Sequence, residues 1–288
     1  MSESHPDSLN STLERATKVV QVIEPSGGNF LNFIKELWLY RELYLFLTWR
    51  DIIVKYKQTL FGVLWVIFQP AIYMLIFTVV FHLMVGVKTT DVPYPLFVLS
   101  AIIPWSFFSS SITRATESLV NSRDLLTKVY FPRVFIPLAA ATTGLLDALI
   151  AFLFLGLMMF FYVFPPPVNI LFLPLMIIFA LATTMGFSLI FSALNVQYRD
   201  IKFVTNYLMQ IWMYITPVFY PLDVVPEKYR IVAFLNPLTG IVEGFRFCLV
   251  GTHFPAEMLA YSAAFTLLVL AVGQWYFRKM ELTFADVV

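Results

Sequence analysis

The sequence predicts an all-α integral membrane protein of six transmembrane helices, and three observations carry that prediction. Hydrophobic residues make up 59% of the 288 and charged residues only 13%, against about 25% charged in a soluble domain. Mean hydropathy is +0.79. From Leu60 onward, apolar runs of about 20 residues, the length that crosses a bilayer, follow one another. The net charge of +1 gives no basic field for a nucleic-acid partner. The single Cys248 excludes an intrachain disulfide. His5, His82 and His253 lie too far apart for a metal-ligand spacing, so no metal is expected.

Residues 1–29 are polar, with Pro6, Pro25, Gly27 and Gly28, and read as a flexible tail. Residues 30–58 interleave Phe33, Trp38, Tyr44, Trp49 and Ile53 with Lys35, Arg41, Arg50, Lys55 and Lys57. This pattern predicts an amphipathic helix in the headgroup plane, its tryptophans at the boundary and its cations toward lipid phosphate. The remainder, 59–288, holds the six spans: Leu60–Val85, Pro95–Ile112, Val134–Phe164, Ile170–Val196, Phe203–Tyr220 and Met258–Phe277. Their prolines are tolerated because neighbouring helices can re-satisfy the freed carbonyls. No cleavable leader is expected, since the first long apolar run begins so late. His82 reads as a boundary residue.

Between the second and third spans, residues 121–131 predict a short extramembrane helix. Asn121 is the expected N-cap and Asp124 sits in the first turn, where the helix dipole favours an acid. Leu125, Leu126, Val129 and Tyr130 recur at helical spacing, and Pro132 stops the helix. A second short charged loop covers 196–202, with Tyr198, Arg199, Asp200 and Lys202. Residues 222–250 carry too many charges and breaks for a span: Pro226, Asn236, Pro237, Glu243 and Arg246. They predict two re-entrant helices turning at Asn236-Pro237. Of the 19 Lys and Arg residues, only Lys88, Lys228, Arg230 and Arg246 fall on the side opposite the termini. The positive-inside rule therefore puts both termini, and the 121–131 helix, in the cytoplasm.

No catalytic constellation stands out, and no Gly-rich phosphate loop that would let the chain hydrolyse ATP. Asp147 lies inside a span and reads as a structural acid helped by neighbouring Thr142 and Thr143, ahead of a proton or substrate contact. Trp105, Phe108, Tyr207, Trp212 and Tyr214 are candidates for a track on which sugar faces stack, with Ser106 and Ser109 to Ser111 as hydroxyl partners. The alternative for the aromatics is an interfacial belt, and for the serines close helix packing. Two charged loops on a chain without its own engine suggest a surface that receives force from a partner.

The run Trp49-Arg50-Asp51-Ile52-Ile53-Val54-Lys55-Tyr56-Lys57-Gln58-Thr59-Leu60-Phe61-Gly62-Val63-Leu64-Trp65, then Pro70, resembles the ABC-2 class of exporter membrane subunits. The 121–132 loop, Tyr198-Arg199-Asp200-Ile201 and Asn236-Pro237 also match, with Phe61 departing from the usual Leu-Gly pair. Within that class the chain is similar to polysaccharide permeases of O-antigen export, the Wzm type. The resemblance implies a type V exporter fold in the bacterial inner membrane, and a homodimer paired with two copies of a nucleotide-binding ATPase subunit. ATP and Mg would sit on that partner and no cofactor on this chain, which would not be an enzyme. It implies that 121–131 is the coupling helix, with Asp124, Leu125, Leu126, Lys128, Val129 and Tyr130 in the ATPase groove. Tyr198, Arg199 and Asp200 would add a lesser contact, and 222–250 would form periplasmic gate helices. Arg41, Arg50, Lys55 and Lys57 become candidates for the pyrophosphate of an undecaprenyl-linked polysaccharide passing through the dimer interface. Alternatives are a permease for teichoic acid or capsular polysaccharide, a secondary carrier, or a membrane glycosyltransferase.

Overall fold

The computed structural model describes residues 30–57, 62–87, 89, 92–128, 131–281 and 284, with the backbone alone at 30–34 and 126–128. The expected tail 1–29, Leu60, Val129 and Tyr130 lie outside the described residues, as do the side chains of Leu126 and Lys128. Helix is the dominant structure among the described residues, and none of them forms a strand. The expected single helix over 30–58 is interrupted at Tyr40, giving α1 (Phe30–Leu39) and α2 (Arg41–Lys57). The described residues divide into two units between Leu39 and Tyr40, and the rest of the fold concerns the second.

Among the described residues, five helices are long and apolar enough to cross a membrane, or six if the bent pair below is one span. They are α3 (Leu64–Met84), α4 (Tyr94–Asn121), α6 (Phe135–Phe161), α7 (Leu173–Gln197, entered through a 3-10 turn at Val168–Phe172) and α11 (Ala256–Glu281). The last turns of α3, Thr78–Met84, wind as a π-helix. At its end His82 bonds the Val87 carbonyl and stacks on Tyr94. Helix α4 is the axis: 78% of its apolar window is buried, against 11 to 28% for the other four. Its 28 residues extend about 42 Å, so it overhangs a hydrocarbon core of about 30 Å. The overhang leads through Ser122 into α5 (Arg123–Lys128). Asn121 is therefore the last residue of α4 rather than the N-cap of the short helix, because the apolar run of α4 continues past Ile112 through Ala115 and Leu119.

Small residues and threonines set the helix packing. On α6, Ala139 to Ala141, Thr143 and Gly144 are buried, mainly against α4. A side chain at Gly273 of α11 would run into the Gly186 carbonyl of α7, so the two backbones touch there. One turn away the Thr183 and Thr266 hydroxyls bond at 2.7 Å. Asn195 of α7 donates to the Thr116 carbonyl of α4 at 2.9 Å.

The expected span Phe203–Tyr220 is a correction. Helix α8 (Ile201–Ile215) has only 15 residues, about 22 Å. Pro217 pushes Thr216 into an extended conformation (φ −83°, ψ 136°), and residues 216–219 continue as a buried, non-helical segment. Helices α9 (Glu227–Leu235) and α10 (Pro237–Val250) bend by 93° at Asn236, the geometry of a re-entrant pair or a broken span. The Asn236 side chain caps α10 by accepting from the Leu238 amide, and Pro237 occupies the first helical position. Gly251 closes α10 at φ 72°, a left-handed residue that glycine adopts without strain.

Candidate functional site

Helix α2 buries Leu47 fully, turns Tyr44, Lys55 and Tyr56 toward the bundle and carries a broad apolar outward face. Leu45, Phe46, Trp49, Ile53 and Val54 are exposed. Tyr44 packs on Phe135 and shares a hydrogen bond with Thr142, and burial raises its phenol above the usual range, opposed by that bond. An inside-out pattern of this kind belongs in lipid. Near its end, Lys55 Nζ pairs with Asp147 Oδ2 and Tyr56 donates to Asp147 Oδ1. Arg114 of α4 places Nη1 at 3.7 Å from the same carboxylate. Burial first, then the Arg114 charge, draws the Lys55 ammonium below its ordinary range, with Asp147 opposing. Burial, then Asp147, raises the Tyr56 phenol. The partners of Asp147 are thus two cations and a phenol from other helices rather than the adjacent threonines. The pairs span 91 and 92 residues of sequence, which is why local reading missed them. Gly144 makes room for the arrangement: a Cβ there would strike the Ser111 hydroxyl and the Arg114 guanidinium.

A cavity of about 520 Å³ opens beside this cluster, between α2, α4, α6 and the Ser122 turn. Its charged lining is Arg50, Lys55, Arg114, Asp51 and Asp124. Of the four basic candidates on α2, Arg50 is held by Asp51 at 2.7 Å and Lys55 by Asp147, while Arg41 and Lys57 are exposed and do not line the cavity. Among the α5 candidates, Asp124 is exposed and Leu125 partly so. After α5, Arg133 donates from its amide to Glu281 Oε1 at 3.0 Å and from its guanidinium to the Glu281 carbonyl at 2.8 Å, so α11 anchors that turn. Tyr198, Arg199 and Asp200 are all exposed between α7 and α8, and the Lys202 amide donates to Asn195.

The aromatic candidates separate into two groups. Trp105 and Phe108 are buried at 4% and 3% exposure, and Phe108 packs edge-on to Trp212. These two are core residues in this chain, because that stretch of α4 is buried among its neighbours. Trp212 is half-buried and donates from Nε1 to Asn236. Tyr207 and Tyr214 are exposed at 67% and 62%. They share a face of α8 with exposed Asn206 and Gln210, and Asn206 Oδ1 accepts from Thr113 of α4 at 3.1 Å. Two carboxamides four residues apart in an apolar helix are the signal that the sequence carries for this face.

Two polar clamps hold the non-helical segment after α8. Asn236 accepts from Trp212 and donates to Thr216 Oγ1, both at 2.9 Å. The fully buried Arg246 of α10 donates to the Val218 carbonyl at 2.8 Å and to Glu243 at 2.6 Å. Its guanidinium also lies 3.7 Å over the Phe97 ring. Tyr94 donates to the Phe219 carbonyl at 2.6 Å. Backbone carbonyls freed by the helix break are thereby satisfied inside the protein.

Residues 42–250 match the ABC-2 type transporter family. The chain belongs to that family. It is 26% identical to the O-antigen export system permease protein RfbA of Myxococcus xanthus, over 89% of this chain and 99% of the relative. It is 29% identical to an RfbA of Klebsiella pneumoniae, over 85% of this chain and 95% of that protein. The polysialic acid transport protein KpsM of Escherichia coli is 26% identical over 81% of this chain and 91% of its own length. As a member of this family the chain is a multi-pass transport permease.

Proposed function

We propose that this chain is the membrane permease of an ATP-driven exporter that carries undecaprenyl-pyrophosphate-linked O-antigen polysaccharide across the bacterial inner membrane. It acts as a homodimer with two copies of a nucleotide-binding ATPase subunit, and both termini face the cytoplasm. The observation that carries the reading is the exposed face of α8. Turned toward hydrocarbon, Gln210 and the amide N–H groups of Asn206, whose Oδ1 accepts from Thr113, would be left unpaired, at a cost. The same face turned toward a hydroxyl-rich chain is satisfied, with Tyr207 and Tyr214 offering rings to sugar C–H faces. Two such faces across a dimer axis line one path. The relatives named for O-antigen export support the cargo. Capsular polysaccharide is the second reading, favoured by the polysialic acid relative.

The 121–131 segment, which contains α5, docks on the ATPase through Asp124, Leu125, Leu126, Lys128, Val129 and Tyr130, with Tyr198 to Asp200 in a smaller contact. Nucleotide-driven closure of the ATPase pair moves α5, α4 follows rigidly, and the faces of α8 shift about the dimer axis. This chain performs no covalent step. The test is surface O-antigen in cells lacking their own permease, supplied with this chain and its ATPase subunit. Wild type restores surface glycan, and N206L/Q210L lowers it at least tenfold while still co-purifying with the ATPase. Undiminished export by the double variant removes the α8 path.

A further inference from the structure

The cluster around Asp147 does not balance. Arg50 is occupied by Asp51, with both Nε and Nη2 on the same oxygen at 2.9 and 2.7 Å. Asp124 has an interaction of its own. That leaves Lys55 and Arg114 sharing one carboxylate, whose second oxygen is taken by Tyr56. Arg114 is the under-used member. Its Nη1 stands 3.7 Å from Asp147, its Nη2 is 3.4 Å from the Ser111 hydroxyl, and its buried Nε has no hydrogen-bond partner. A guanidinium bond to an anion normally closes to about 2.7–2.9 Å. None of the three nitrogens reaches that distance, although the residue lines a cavity of about 520 Å³. Hydroxyls of Ser118, Ser122 and Thr143 line the same space.

We propose that this cavity is a binding site for a phosphate ester, with Arg114 as the forked donor, Lys55 as the second cation and the Ser122 hydroxyl as a neutral donor; the Ser118 and Thr143 hydroxyls line it but donate to the Ala115 and Ala140 carbonyls. A planar fork with free N–H groups matches two phosphate oxygens. One negative charge neutralises the excess cation, and Asp147 is the internal carboxylate that keeps Lys55 and Arg114 in place while the site is empty. Asp51 and Asp124 line the cavity as well, so the site tolerates a ligand of low net charge better than a free polyanion. A phosphate ester at this position comes either from a membrane phospholipid headgroup or from the diphosphate of a lipid-linked glycan. The second source rests on the exporter reading; the site itself does not.

The test is lipid binding to the purified transporter, permease with its ATPase subunit, followed by native mass spectrometry. The probes are phosphatidylglycerol, phosphatidylethanolamine, undecaprenyl diphosphate and, as the phosphate-free control, undecaprenol. Wild type retains at least one phosphate-bearing lipid more tightly than undecaprenol. R114Q weakens that binding about tenfold, the order of one charged hydrogen bond, and R114K falls between. S122A, which keeps every charge, weakens it severalfold and covers the case in which R114Q does not fold. Binding of undecaprenyl diphosphate alone assigns the cargo as source, and binding of the phospholipids assigns the headgroup. Retention of phosphate lipids no better than undecaprenol, or unchanged retention in R114Q and in S122A, overturns the site. Because binding is read on purified protein, it fails independently of surface glycan export.

Discussion

Asp147→Asn isolates the charge of the intramembrane cluster without changing its shape. In the native protein the carboxylate serves Lys55, Tyr56 and, at 3.7 Å, Arg114. Removing one partner of a fully buried pair costs about 3–5 kcal/mol, because the other charge is left uncompensated. Here the Lys55 and Asp147 side chains keep 29% and 17% of their exposure beside an open cavity, so water recovers part of the loss. An expected cost of about 2–3 kcal/mol follows. That is a fall in melting temperature of roughly 4–12 °C by soluble-domain scaling, read from tryptophan fluorescence of the solubilised protein. The companion Lys55→Met leaves Asp147 with Tyr56 and with Arg114, so it should cost about half as much or less. The double variant should cost less than the sum of the two. A change below about 0.5 kcal/mol for Asp147→Asn, or a larger loss for Lys55→Met than for Asp147→Asn, would refute the assignment of Asp147 as the shared anchor.

Gly144→Ala drives a methyl into Ser111 and Arg114, and an expected loss of about 1–3 kcal/mol should be sub-additive with Asp147→Asn in the same melting assay. Glu243→Gln leaves the fully buried Arg246 without its counter-charge and should cost about 3–5 kcal/mol, with faster proteolysis in 216–226 as the local readout. Asn236→Leu removes the α10 cap and the bonds to Trp212 and Thr216, an expected loss of about 2–4 kcal/mol by thermal melting. Leu126→Asp and Tyr130→Asp should cut co-purification of the ATPase subunit at least tenfold, and undiminished pull-down and export would remove the docking role of the 121–131 segment.

Apolar run length made the bundle readable, because lipid demands a length and a composition that few other environments do. The same reading stretched α8 to Tyr220, since Val218, Phe219 and Tyr220 keep the segment apolar after Pro217 has ended the helix. Prolines at 70 and 104 sit inside intact helices, so proline alone does not mark the break. The turn at Asn236-Pro237 was legible because Asn caps and Pro at the first helical position are local chemistry. Pairing across helices was not. Nothing near Asp147 in sequence points to Lys55, Tyr56 or Arg114, and Arg114 reads as an extramembrane cation until α4 is seen to continue to Asn121. Trp105 and Phe108 illustrate the reverse problem: a helix stretch buried among its neighbours has no amphipathic face, so core aromatics and exposed ones carry the same sequence signal. Only the burial of α4 against the exposure of Tyr207 and Tyr214 separates them.

The claim at the centre is that a lipid-embedded chain without its own engine exports glycan with power taken from a partner ATPase. Surface O-antigen in a permease-deficient strain, measured with this chain plus either an active ATPase subunit or one unable to hydrolyse ATP, tests it most directly. The account predicts surface glycan only with the active partner, and accumulation of lipid-linked glycan inside the cell with the inactive one. Equal surface glycan with both partners, or with this chain alone, would contradict it.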